Sequence, residues 1–157
     1  MYFWGVKNHA FMILFYNQDV TYKVCNRRAI KHWLNDVIVS EKHHQGDINI
    51  IFCSSDFLRN MNVRFLQHDY CTDVITFPYD DERHRVSGDV FIDIYTVNDN
   101  ALYYAVSFEN ELLRVMVHGV LHLLDYNDGS VEESVIMRSK EDHYLSLFTE
   151  VYSERKL

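Results

Sequence analysis

Cysteine, proline, glycine and net positive charge are all scarce in this chain of 157 residues, and each scarcity removes a class of protein. The three cysteines, Cys25, Cys53 and Cys71, are odd in number, far apart and form no C-x-x-C pair. Neither a disulfide framework nor a thiolate zinc site is therefore expected, and a reducing, cytoplasmic setting fits. One proline and five glycines exclude long linkers, low-complexity segments and collagen-like repeats. No long apolar run is present either. Lys7 and His9 interrupt the greasy N-terminus, the unbroken stretch from Ala10 to Tyr16 is short, and no small-residue cleavage site follows, so it reads as a strand and not as a membrane span or leader. Lys plus Arg number 15 against 23 Asp plus Glu, a formal charge of -8, which argues against attachment to nucleic acid by bulk charge but leaves a local basic groove open.

What remains is an ordinary globular composition rich in aromatic rings, and one domain over residues 1–157 is the expected organisation. A fold of this length buries roughly 70% of the surface its unfolded chain exposes, so any metal is expected to be functional and not a structural staple. Ala10 to Tyr16 is the first strand expected. Ile30, Trp33, Leu34, Val37 and Ile38 recur at helical spacing within Asn26 to Ser40. The β-branched run Asp47 to Cys53 predicts a second strand, with Ser54 or Ser55 capping a helix from Asp56 to about Phe65. Val74 to Tyr79 and Asp89 to Val97 predict two further strands joined as a hairpin across the charged loop Asp80 to Ser87. A short helix over Asn98 to Val106 follows. Ser107 then caps a long helix to Leu124, and Ser130 with Glu133 forms a capping box for a last helix to about Thr149. This order predicts an α/β (α+β) sandwich with a mixed sheet of about four strands flanked by helices.

The helix from Ser107 to Leu124 is apolar at nearly every position, and its exceptions line up. At roughly 100° per residue, Glu111, Arg114, His118, His122 and Asp125 share a stripe about 80° wide. His118 and His122 stand one turn apart, the spacing with which a helix aims two imidazoles at one cation. The turn DYNDG brings Asp125 and Asp128 back toward the same end, and either carboxylate is an acceptable third ligand. The competing reading gives both histidines ordinary buried hydrogen bonds, to backbone or to Glu111. The position after His118 is Gly119, where metalloproteases of the H-E-x-x-H type carry their general base, so peptide hydrolysis by that route is disfavoured. The glycine instead lets another element approach the helix closely.

The run HGVLHLLDYND, residues 118 to 128, resembles the signature H-G-x-L-H-L-x-G-Y-D-H of the YbeY family of bacterial ribosomal-RNA maturation endoribonucleases. Thr72-Asp73-Val74-Ile75-Thr76-Phe77-Pro78, at the end of a segment opened by Asn62, is similar to the family's T-D-V-L-S-F-P. Gly88-Asp89-Val90-Phe91-Ile92 resembles its G-D-I-x-I strand. Three blocks in order span nearly the whole chain. The resemblance implies a metal-dependent single-strand endoribonuclease acting in ribosomal RNA maturation and small-subunit quality control, with the small ribosomal subunit as partner and one divalent ion, zinc, as cofactor. It places the metal on His118, His122 and Asp128, with aspartate at Asp128 where the family has its third histidine. The family's Gly-Tyr-Asp becomes Asp125-Tyr126-Asn127, and its catalytic arginine falls on Leu66, leaving Arg64 and Arg114 as candidate substitutes.

Phosphate contacts are expected from Arg27, Arg28 and Lys31 on the first helix, Arg59 and Arg64 on the second, and Arg83 and Arg85 in the hairpin loop. Two other readings stay open at this point: a zinc-dependent protease-like hydrolase, and a non-catalytic ribosome-assembly factor with a residual metal site.

Overall fold

The computed structural model describes residues 10–66, 72–80 and 84–152. Its elements run β1 (Ile13–Asn17), α1 (Arg27–Ser40), β2 (His44–Cys53), α2 (Ser55–Leu66), β3 (Val74–Pro78), β4 (Arg85–Asp93), α3 (Ile94–Tyr104), α4 (Phe108–Leu123) and α5 (Val131–Tyr152). The four strands form one sheet in the order β1-β2-β4-β3, in which β1, β2 and β4 are parallel and β3 runs antiparallel to β4. This is the mixed α+β sheet expected from the sequence. No helix among the described residues is long and apolar enough to cross a membrane.

Side-chain alternation divides the sheet into two apolar faces. Ile48, Ile50 and Phe52 of β2, with Val90 and Ile92 of β4, point into the main core with the buried side chains of α1, α4 and α5. Cys53, Ile75, Phe77 and Phe91 have the opposite parity and pack with Leu58, Phe57 and Met61 of α2 on the other face. Buried Cys53 has its thiol pushed up to about 12, first by desolvation and then by the charges of Asp93 and Asp19. The α1 stripe of Ile30, Trp33, Leu34, Val37 and Ile38 is buried as its spacing requires, and Trp33 Nε1 ties the helix to α5 by donating to the carbonyl of Tyr144 at 2.8 Å.

Element boundaries depart from the sequence pattern by a few residues, most at β4. The alternation of Asp89 to Val97 predicts a strand throughout, whereas β4 begins at Arg85 and stops at Asp93. The Asp93 carboxylate accepts from the backbone N–H of Tyr95 and Thr96, at 2.9 and 3.2 Å, and from the Thr96 hydroxyl at 2.6 Å. It thereby caps α3 and turns the chain out of the sheet, so the expected short helix starts at Ile94 instead of Asn98.

Two glycines set the position of α4. A Cβ at Gly119 would lie 2.5 Å from Val90 Cγ1, and one at Gly88 would lie 2.6 Å from the carbonyl oxygen of Phe77 and 2.8 Å from Leu123 Cδ2. The helix therefore rests directly on β4 and the β3–β4 pair, closer than any side chain at these positions would allow. This fixes the end of α4 that carries both histidines.

Candidate metal centre

The site is built from the C-terminal half of α4 upward. Ser107 caps the helix, its hydroxyl accepting from Asn110 N–H at 3.1 Å, and α4 continues to a C-cap at Leu124. The exit is a Schellman turn: Tyr126 N–H donates to the Leu121 carbonyl and Asp125 N–H to that of His122, both at 3.0 Å. Asp125 adopts φ 68°, the left-handed conformation that glycine adopts most easily. Asp125→Gly is accordingly expected to raise stability by about 0.5–1 kcal/mol, read as a higher urea midpoint.

The turn also orients a histidine. His122 Nδ1 lies 2.9 Å from the Tyr126 carbonyl, so that nitrogen donates and Nε2 faces away from the turn. His118 is held in the same sense from α5, with Nδ1 2.8 Å from Glu141 Oε2. The two Nε2 atoms meet at 2.8 Å, and Asp128 Oδ2 stands 3.3 Å from one and 3.5 Å from the other. Tetrahedral zinc with bonds of about 2.0–2.2 Å requires donors separated by roughly 3.3–3.5 Å; both distances to Asp128 meet this, and the two Nε2 atoms, at 2.8 Å, would have to part by about 0.5 Å to admit an ion. Each imidazole has its other nitrogen engaged, by a carboxylate in one case and a backbone carbonyl in the other, the usual support for metal-binding histidines.

Electrostatics separates the two rings. Burial works to lower His118, but the hydrogen bond and charge of Glu141, with Asp73 and Asp128, outweigh it and raise the group. His122 is lowered, by burial and by the neighbouring His118. Glu141 is 4% exposed and is held below the usual carboxylate range: burial opposes this, but hydrogen bonds from His118 and Arg114 prevail. Arg114 donates to Glu141 at 3.0 Å and pairs with Asp142 at 2.8 Å. Buried Glu111 and partly buried Asp73 lie in the same acidic neighbourhood, and desolvation pushes both carboxyls up.

The structure thus brings together His118, His122 and Asp128 and leaves the other candidates elsewhere. Asp125 is exposed and stands outside the triad. Arg114 braces Glu141 behind His118. Glu111, offered by the sequence as an imidazole partner, is replaced in that role by Glu141. Arg27 and Arg28 are exposed at the start of α1, about 20 Å of helix from Glu41 at its far end, which touches the metal-side turn. Lys31 Nζ lies over the Phe15 ring at 5.7 Å. Arg59 and Arg64 are exposed on α2, Arg64 lying over Phe65 at 5.8 Å, and Leu66 ends that helix exposed. Arg85 is engaged in the fold, 3.7 Å from the Phe11 ring centroid and bonded to the Gln45 carbonyl at 3.2 Å. Arg83 and Cys71 lie outside the described residues.

Two supporting residues escaped the sequence reading. Glu141 shares a helical stripe with Met137, Tyr144 and Leu145, all buried, and a carboxylate on such a stripe is the signal that would have found it. Glu41, just past α1, accepts from Tyr126 Oη at 2.7 Å, from Lys140 Nζ at 2.8 Å and from the Tyr144 hydroxyl, tying the turn after α4 to α1 and α5.

Comparison with known proteins agrees with this architecture. The family described as Endoribonuclease YbeY matches residues 14–149. Endoribonuclease YbeY of Flavobacterium johnsoniae is 43% identical over 133 residues, covering 85% of this chain and 95% of its own. That of Cytophaga hutchinsonii is 43% identical over 135 residues, covering 86% and 94%, and that of Parabacteroides distasonis 37% over 138 residues, covering 88% and 96%. A solution structure from Thermotoga maritima has a TM-score of 0.61 at 25% identity, covering 92% of this chain and 94% of that one. The histidine helix, the strand blocks before it and the acidic turn after it all fall inside the matched span, and the chain belongs to the endoribonuclease YbeY family.

Proposed function

We propose that residues 1–157 form one domain acting as a metal-dependent endoribonuclease on single-stranded ribosomal RNA in the cytoplasm, in the maturation and quality control of the small ribosomal subunit, with zinc as the ion. The observation that carries the reading is the meeting of His118 Nε2, His122 Nε2 and Asp128 Oδ2 at the solvent-facing end of α4. Two imidazoles and one carboxylate in so small a triangle suit zinc among common divalent ions. A divalent ion held there supplies Lewis-acid activation of a phosphoryl oxygen or of water. The protein's own contribution is orientation. Glu141 and the Tyr126 carbonyl fix the two rings, Arg114 fixes Glu141, and Asp128, 46% exposed, stands on the side open to substrate. Protease chemistry is not supported, because a glutamate at position 119 would have to occupy the space of Val90.

The test is single-turnover cleavage of a precursor ribosomal RNA by zinc-loaded protein, with casein as a parallel substrate. RNA cleavage is expected to disappear with a chelator and in His118→Ala, while casein stays intact. RNA cleavage at the wild-type rate in His118→Ala, or hydrolysis of casein, overturns the reading. An RNA that is bound but never cut favours the assembly-factor alternative.

A further inference from the structure

Cleavage of a phosphodiester builds negative charge on its non-bridging oxygens, and a fixed cation beside the reacting group stabilises that charge. Two described arginines stand next to the triad, and they differ in what they already hold. Arg114 is held by two carboxylates: one guanidinium nitrogen donates to Glu141 at 3.0 Å, another pairs with Asp142 at 2.8 Å, and the side chain is 17% exposed. Arg138 lies one turn before Glu141 on α5, with its nearest nitrogen 3.7 Å from Glu141 Oε1, beyond hydrogen-bond length, and its side chain 55% exposed. The other oxygen of Glu141 is the one that touches His118. Arg138 therefore shares a carboxylate with a metal-binding histidine while keeping its donors free.

The same arginine borders an open groove. Arg138 lines an open surface groove of about 440 Å³ together with Asp128, Ser130, Val131, Ser134 and Val135. Asp128 is a candidate metal ligand, so the groove and the metal centre share that carboxylate, and Arg138 belongs to the same lining. The volume falls in the range of small-ligand sites, about 300–1,000 Å³. A loose, half-exposed pair such as Arg138 with Glu141 contributes little stability, so turning the guanidinium toward an anion costs little. Its planar fork can meet two phosphate oxygens at once.

We propose that Arg138 is a substrate-binding residue of this centre, receiving a phosphate of the RNA in the groove it shares with Asp128. The assignment rests on the ribonuclease reading above, and its test separates the two. Wild-type, Arg138→Gln and Arg138→Lys proteins are loaded with zinc, checked for equal zinc content, and compared in single-turnover cleavage of a single-stranded oligoribonucleotide. In parallel, the affinity for a non-cleavable 2′-O-methyl version is measured against salt.

Arg138→Gln is expected to lower kcat about 100-fold and to flatten the slope of log affinity against log salt by about one unit. Arg138→Lys is expected to restore the slope, but only part of kcat, because an ammonium cannot make the two-point contact. Unchanged cleavage and an unchanged slope in Arg138→Gln overturn the assignment. If wild-type protein binds the oligonucleotide but cuts nothing, the ribonuclease reading fails. The salt slope then still decides whether Arg138 touches phosphate: equal slopes in wild type and Arg138→Gln reject it.

Discussion

Glu141→Ala is expected to lose about 3–5 kcal/mol of stability and about 10- to 100-fold in zinc affinity, one substitution acting on both the fold and the metal centre. The first loss follows from burial: the carboxylate is 4% exposed and accepts from Arg114 on one oxygen and from His118 on the other. Removing it strands a largely buried guanidinium whose remaining partner, Asp142, is on the surface. The second follows from ring orientation, because without the acceptor at 2.8 Å His118 Nδ1 no longer fixes the tautomer that turns Nε2 toward His122 and Asp128. Glu141→Gln keeps the shape and one acceptor oxygen, so its cost should be smaller on both measures. Urea unfolding gives the first quantity and competition with a chromogenic chelator the second. Wild-type zinc affinity in Glu141→Ala would show that the carboxylate supports α5 alone.

Glu41→Gln should be destabilising by about 2–3 kcal/mol near neutral pH and almost silent in acid. Burial pushes the Glu41 carboxyl up, but the hydrogen bonds from Lys140, Tyr126 and Tyr144 outweigh it and hold the group below its ordinary range. A carboxyl whose folded pKa lies below its unfolded value adds stability above the unfolded value, about 4.3, and loses it as the pH falls through the folded value. The stability gap between wild type and Glu41→Gln is therefore expected to be full at pH 6–7 and to close below about pH 4. A gap that stays constant over this range would place the contribution of Glu41 in shape and not in charge.

What could be read in advance follows the reach of each interaction along the chain. The α4 stripe was legible because helical periodicity alone puts His118 and His122 on one face. The turn after α4 left Asp125 and Asp128 both open as the third ligand, and the resemblance to the family signature selected Asp128. The buried stripe of α1 and the succession of four strands along the chain came from the same local periodicities, whereas their order in the sheet did not. Glu141 lies 23 residues from His118 and Glu41 lies 85 from Tyr126, and no periodicity connects such pairs. The end of β4 was hidden for a different reason: its apolar alternation continues into α3, and one carboxylate, Asp93, decides where the strand stops. Arg114 was visible on the stripe, but its engagement with Glu141 and Asp142 depends on how α5 crosses α4.

The three candidate ligands all lie between positions 118 and 128, whereas the sheet that supports them pairs strands separated by whole helices. Joining those ligands closes only a short loop, at small entropic cost, while parallel strand pairing must close long ones. An ion taken up by the eleven-residue segment would therefore find its ligands close together even in the unfolded polypeptide, and its capture would not have to wait for the sheet. Affinity for the unfolded chain also subtracts from the stabilisation a bound ion gives the native state, so a tightly held zinc would raise the melting temperature by less than its affinity alone implies. Nascent α4, with its ion, would then be a preformed unit onto which β3 and β4 dock through Gly119 and Gly88.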